Sequence, residues 1–253
     1  MSEINVSHNS FTCHQVDDLA VLTFLEGTSL LTTTVSGKEK LIELVKNIRD
    51  SEKINGLAVL YSDKYQGDIE YNKFIQESLK EKNMQSANRY SMTYKSSLIQ
   101  LVEVVNAFPK PIVVGLKGEI GPNSFSLSMT DDIRIAAEGT SFVLSNLQLG
   151  LPPSPLLLFY LSHNLGPSKA TELVLMKPTL SSREALDLGL ITEIVPEHQL
   201  EKACLDKLRQ LSTIPGYMIA ETRRMLQPDT DEIEKFIEAG IEGLLRSWYK
   251  VNP

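Results

Sequence analysis

The 253 residues are 42% hydrophobic and 23% charged, which suits one sizeable globular core without staples. The net charge of −7 argues against a nucleic-acid surface, which needs clustered Lys and Arg, although a few local lysines can still hold an anion. Cys13 and Cys204 match no metal spacing and read as reduced thiols. Met1-Ser-Glu-Ile-Asn lacks the basic start and apolar run of a signal peptide, and the densest apolar run, 156–161, is too short to span a bilayer. A cytoplasmic protein with no metal and no membrane or nucleic-acid partner is expected.

Apolar periodicity gives the elements in chain order. Residues 18–25, DLAVLTFL, read as a strand, and 36–49 place Leu41, Ile42, Leu44, Val45 and Ile48 at helical spacing. Residues 56–61, GLAVLY, are continuously apolar, the pattern of a strand buried on both faces. A polar loop over 62–68 leads to a helix over 69–81. A long amphipathic helix over 91–108 is ended by Pro109 and Pro111. Residues 112–116 form a second buried strand, 133–136 and 141–144 are strand-like, and 167–176 are helical. Ser181-Ser182-Arg183-Glu184 has the form of a capping box, and 189–195 return to β. From Gln199 onward the chain is helical, broken at Pro215 and at Pro228-Asp229. Alternating strands and helices indicate an α/β fold with covered sheets. The C-terminal helices have few strands left to cover and are candidates to pack on another subunit.

The stretch KGEIGPNSFSLSMTDDIRIA, 117–136, carries the first chemistry. Gly118 and Gly121 permit close backbone approach, Pro122 suits a first helical turn, and Asn123 and Ser124 are capping types. Amides at a helix start carry partial positive charge and can stabilise an enolate or oxyanion. The same residues also describe a plain turn that starts a helix. Tyr65-Gln66-Gly67-Asp68 follows a buried strand, where α/β folds place their sites. There Gly67 can present its N–H and Asp68 can cap the next helix, or the turn is only a connection.

Three stretches resemble the crotonase superfamily, the enoyl-CoA hydratase and isomerase family. FPKPIVVGLKG is similar to that family's helix–Lys-Pro–strand–Gly entry to its site. DDIRIAAEGTSFVLSNLQLGLPP is similar to its Asp-Ile-Arg-Ile-Ala…Leu-Gly-Leu-Pro run. GPSKATELVLMKPTLSSREALDLGLITEIVP is similar to its Gly-x-x-x-Ala…Ala-x-x-Gly-Leu…Val-Pro helix and strand. The match is continuous from Phe108 to Pro196 and fainter before it. The resemblance implies an α/β spiral of ββα repeats, as in Clp-protease and crotonase-like chains, over 1–196. It further implies a helical trimerisation region over 197–253, with trimers often paired into hexamers. It also implies a substrate that is a thioester of coenzyme A or of a carrier protein's phosphopantetheine, with no other cofactor.

Carried over residue by residue, the first oxyanion amide falls on Gly67, before Asp68. Gly118 and Asp132 stand fourteen residues apart, as in the family, so the second amide falls on Asn123, where the family has a triple glycine. The two glutamates of the hydratases fall on Ser126 and Asn146, the latter four residues before Gly150. Hydration needs one group to activate water and another to protonate the α-carbon, and neutral Ser and Asn supply neither role near neutral pH. Ser126 is also similar to the nucleophile of Clp-type proteases, but none of His8, His14, His163 and His198 falls at a triad position. Asp132 matches the family's structural aspartate, while Glu119 and Asp131 are expected to bond the backbone or face solvent. Tyr65, Tyr71 and Tyr90 can line an acyl pocket or a core. Lys64, Arg246 and Lys250 match where the family holds the coenzyme A nucleotide, or are solvated charges. The run from Phe142 to Ser182 also resembles crotonase-like dehydratases of polyketide β-branching.

Two functions stand at this point. In one, a crotonase-type lyase or isomerase binds an acyl or enoyl thioester and stabilises its enolate, by decarboxylation, proton shift or dehydration rather than ordinary hydration. In the other, a catalytically silent homologue binds a thioester or joins an active paralogue in a mixed oligomer.

Overall fold

A computed structural model describes residues 4–25, 35–62, 84–145, 147, 153–226 and 229–251. The chain opens with three antiparallel strands, β1 (Asn5–Ser7), β2 (Phe11–Val16) and β3 (Leu19–Phe24). Helix α1 (Val35–Asp50) leads to β4 (Gly56–Tyr61), and helix α2 (Met84–Asn106) leads to β5 (Ile112–Leu116). Then come β6 (Glu119–Ile120), helix α3 (Pro122–Ser128), β7 (Ile133–Ala137) and β8 (Ser141–Val143). Helices α4 (Pro155–Leu165) and α5 (Pro167–Met176) precede β9 (Thr179–Ser181), α6 (Ser182–Asp187) and β10 (Glu193–Val195). The chain closes with α7 (Leu200–Leu211), α8 (Gly216–Leu226) and α9 (Thr230–Val251).

Among the described residues the main sheet has seven strands in the order β1-β2-β3-β4-β5-β7-β10, parallel from β3 onward. A small second sheet, β6-β8-β9, stands beside it. The continuous apolar runs have their expected cause: both faces of the main sheet are covered. Along β3, Leu19 and Val21 face one cluster while Ala20, Leu22 and Phe24 face the other, and β4 and β5 alternate in the same way. Leu41, Leu44 and Ile48 of α1 and Leu98 and Val102 of α2 fill the first face. The second face is filled by Leu200, Cys204, Leu205 and Leu208 of α7. So the C-terminal region does have a sheet to cover, at least in its first helix. Gly115 sets the close approach there: a Cβ on it would stand 2.6 Å from Leu60 Cδ2 and 2.9 Å from Cys204 Sγ. Cys13 and Cys204 are unpaired, and burial pushes both thiols up to about 12.

Several local expectations hold in detail. α5 spans 167–176, and Ser181 and Glu184 form the reciprocal capping box. With the Lys177 ammonium first, and then Ser181, bonded to it, the Glu184 carboxyl drops to about 2. Others shift. β10 covers only Glu193–Val195, because Gly189 takes φ 72° and Leu190 hooks back to bond Ala185. α2 begins at Met84, earlier than residue 91. The helix expected over 69–81 lies outside the described residues. α9 docks on α2 and α4, with Gly240 against Pro155.

One buried ion pair joins the C-terminal region to the sheet. Arg223 of α8 is 4% exposed. Its Nε and Nη2 donate to Asp132 at 2.9 and 2.6 Å, and the same guanidinium reaches the carbonyls of Val105, Phe108 and Lys110. Asp132 in turn accepts the amide of Ile112 at 2.8 Å, fixing the start of β5. This is the structural role expected of Asp132.

Candidate active site

In parallel strands the C-terminal ends share one edge, and ligands of open α/β sheets bind at that edge. Leu60 pairs with Gly115 and Leu116 with Ala136, so the chain leaving β4 at Tyr61 and the chain leaving β5 at Leu116 depart side by side. The second departure is the Gly118–Ser128 segment. Gly118 takes φ 72°, a left-handed backbone that favours glycine, and it is exposed. β6 then pairs with β8, which fixes Glu119 beside Ser141. Gly121 is the N-cap of α3 in extended conformation, and Pro122 occupies the first turn. Asn123 and Ser124, capping types in sequence, therefore stand one and two residues inside the helix instead. A proline whose φ is preset for the first turn decides the register, and no side chain caps the helix.

α3 is buried along its whole length. Ser126 is fully enclosed, and its Oγ donates to the carbonyl of Asn123 at 2.8 Å. Ser128 and Thr130 bond back to Phe125 and Leu127 in the same manner. The hydroxyls of Ser126, Ser128 and Thr130 thus satisfy themselves on backbone carbonyls, which lets them sit in an apolar interior. A hydroxyl used in this way is neither a base nor an activated nucleophile. The histidines are placed elsewhere: His8 stacks on Phe11, His14 lies on β2, His163 stacks on Phe159 in the last turn of α4, and His198 meets Gln199.

The structure thus places Asn123 and Ser126 in one bonded turn of α3, with Gly118 in the exposed turn before it. Lys64, Tyr65, Gly67, Asp68, Tyr71 and Asn146 lie outside the described residues, as do the side chains of Tyr90 and Lys250. Arg246 is exposed on α9, with Nη1 3.4 Å from Glu242, an ordinary surface pair. Glu119 faces solvent, as expected. Among the described residues no group of three His, Cys, Asp or Glu is set to hold a metal, and no helix is long and apolar enough to cross a membrane.

Asp131 is 8% exposed and lines a groove with Asp132, Arg134, Tyr160 and Arg223. Burial first, then the adjacent Asp132, raise this carboxyl to about 7 against the pull of Arg134 and Arg223.

Comparison with known proteins agrees with this architecture. The family profile described as "Enoyl-CoA hydratase/isomerase" matches residues 76–240. The chain is 25% identical over 171 residues to methylmalonyl-CoA decarboxylase of Escherichia coli (strain K12), covering 65% of this chain and 64% of the relative. It is 28% identical over 113 residues to the trans-2-decenoyl-[acyl-carrier-protein] isomerase of Streptococcus mutans, covering 42% and 43% respectively. The chain thus spans less than two thirds of the length of these relatives. A solved structure of methylmalonyl-CoA decarboxylase in complex with 2-nitronate-propionyl-CoA superposes with a TM-score of 0.71 at 19% identity, over 96% of this chain and 92% of that one. The central sheet and the helical C-terminal region are those of a crotonase fold, and this chain belongs to the enoyl-CoA hydratase/isomerase family.

Proposed function

We propose that this protein binds an acyl or enoyl thioester, of coenzyme A or of a carrier protein, and stabilises its enolate without performing ordinary hydration. Ser126 carries the proposal. In the family register it occupies a glutamate position, and it is a neutral, enclosed hydroxyl committed to the Asn123 carbonyl. Asn146 repeats the loss in the proposed register. What remains is the grip on the carbonyl, assigned here to the backbone amides of Gly67 and Asn123, with Gly118 at the approach and Asp68 beside Gly67. Lys64, Tyr65, Arg246 and Lys250 are the proposed contacts for the rest of the thioester.

Chemistry that needs the oxyanion more than a carboxylate pair fits such a site. In decarboxylation the bond from Cα to the carboxylate breaks, CO2 leaves, and its electron pair enters the thioester enolate held by the two amides. Water then supplies the proton that forms the new Cα–H bond. The alignment to a decarboxylase over 65% of the chain supports this reading. A substrate-assisted proton shift makes the same limited demand. The committed Ser126 hydroxyl also favours a second reading, a silent homologue that binds but does not turn over. We further propose a 1–196 spiral core, a 197–253 helical region that assembles homotrimers, hexamers or mixed oligomers, and a cytoplasmic location.

The test is thermal unfolding with a panel of acyl-CoA thioesters. Ligand at a hundred times Kd adds about 2.7 kcal/mol, or roughly 5–11 °C for a chain of this size. Absence of any shift would sink both readings. A shift with turnover of an α-carboxy thioester supports the enzyme, and a shift without turnover of any thioester supports the silent homologue.

A further inference from the structure

The turn between β5 and α3 opens on exposed residues, Gly118 and Glu119, and α3 has no side-chain cap. A backbone amide assigned to grip a carbonyl has to be held still, and the hold comes from the chain that follows β7. Gly139 takes φ 78° and turns the chain back toward the end of β5. There Thr140, 1% exposed, donates its hydroxyl to the carbonyl of Leu116 at 3.2 Å. Ser141 donates its amide to the carbonyl of Gly118 at 3.0 Å and pairs with Glu119. Phe142 pairs with Ile120 and packs on Phe125 of α3, with ring centroids 4.4 Å apart.

Three consecutive residues, 140–142, therefore brace the segment from Leu116 to Phe125, and Asn123 lies inside it. The brace is itself anchored, because the carbonyl of Thr140 accepts the amide of Ser182 at 2.9 Å, at the capped start of α6. The contacts of Ser141 and Phe142 are strand pairing and apolar packing, which many side chains would allow. The contact of Thr140 with Leu116 needs a hydroxyl. It falls where β5 ends and the turn begins, and Leu116 is fully buried. Valine has nearly the shape of threonine but no hydroxyl, so it withdraws a donor from a buried carbonyl, and the local backbone must shift to compensate.

We propose that Thr140 is a positioning residue for the carbonyl grip: its bond to Leu116 fixes where the turn starts and so where the Asn123 amide points. The inference rests on the thioester reading above. Preorganised donors work only when aimed at the position the oxyanion will occupy, and small misplacements remove much of their effect. A hydroxyl that touches no substrate thereby controls the polarisation of the substrate carbonyl.

The experiment uses the full chain, unmodified and as Thr140→Val, Thr140→Ala and Thr140→Ser, with butyryl-CoA labelled with 13C at its carbonyl. Affinity is read by calorimetry, folding by circular dichroism, and polarisation by the infrared stretching frequency of the bound carbonyl. The unmodified protein is expected to lower that frequency relative to water. Thr140→Val and Thr140→Ala are expected to lose most of that lowering while changing affinity much less, since the rest of the thioester still binds. Thr140→Ser keeps the hydroxyl and is expected to keep the lowering. A full lowering in either folded hydroxyl-free variant overturns the inference and leaves the thioester reading intact. Loss of the lowering in Thr140→Ser also overturns it, because packing of the methyl group rather than the hydroxyl would then set the turn. That arm stands even where the other variants do not fold. Binding to the unmodified protein with no lowering refutes the carbonyl grip, and the inference with it. If the unmodified protein does not bind the thioester at all, the thioester reading has failed.

Discussion

Replacing Asp131 by asparagine removes one ionisation from the interior and keeps the side chain's size. In the folded chain the carboxyl lies at about 7, raised from an ordinary 3.8, chiefly by burial. The folded state therefore holds this proton between about pH 4 and pH 7, where the unfolded chain has released it. Stability falls as pH rises wherever the folded state binds more protons. The contribution is fully present below the unfolded value, is lost progressively up to about 7, and is flat above. Three units at about 1.4 kcal/mol each give a loss of about 4 kcal/mol from this group. Asp132, Arg134, Arg223 and Tyr160 face it, and His163 lines the adjoining groove, so raw pH profiles mix several titrations. The difference between Asp131→Asn and unmodified protein isolates one. Urea unfolding at fixed protein concentration, repeated from pH 4 to pH 8, should show the variant gaining about 4 kcal/mol relative to unmodified protein across that range. A difference that stays constant with pH would refute the reasoning, since it would mean that Asp131 ionises as readily folded as unfolded.

Other outcomes follow from the same geometry. Arg223→Ala leaves the largely enclosed Asp132 without its cation and releases the carbonyls of Val105, Phe108 and Lys110, so a loss of about 3–5 kcal/mol is expected in urea unfolding. A loss under 1 kcal/mol would mean that α8 is not held to the sheet through this residue. Crotonyl-CoA should be hydrated negligibly by the unmodified chain, and Ser126→Glu with Asn146→Glu together should raise that rate, followed by loss of enoyl absorbance. Robust hydration without the substitutions would show the proposed register at 126 or 146 to be misplaced.

Much of the fold was legible because both faces of the sheet are covered. That leaves runs such as GLAVLY and IVVGL with no polar side, a pattern hard to mistake. The capping box at Ser181 and the start of α5 at Pro167 were readable for another reason: they are set by local bonds and preset φ rather than by distant packing. α4 was not legible, because Leu156, Leu157, Phe159, Tyr160 and Leu161 are all buried and the helix shows no polar stripe. β1 is wholly exposed and β6 has two residues, so neither carries an apolar signal. At the candidate site, family resemblance gave positions for Asn123 and Ser126. That Ser126 is spent on a backbone carbonyl, and that Asp131 is buried, depend on how α3 packs, which spacing alone does not encode.

The account stands on the carbonyl grip at Asn123. Isotope-edited infrared spectroscopy of a thioester labelled with 13C at its carbonyl reads that grip directly. Two amides aimed at the oxygen polarise the C=O bond, so the account predicts a lower stretching frequency on binding than in water. A bound thioester whose carbonyl frequency equals or exceeds its value in water would contradict it.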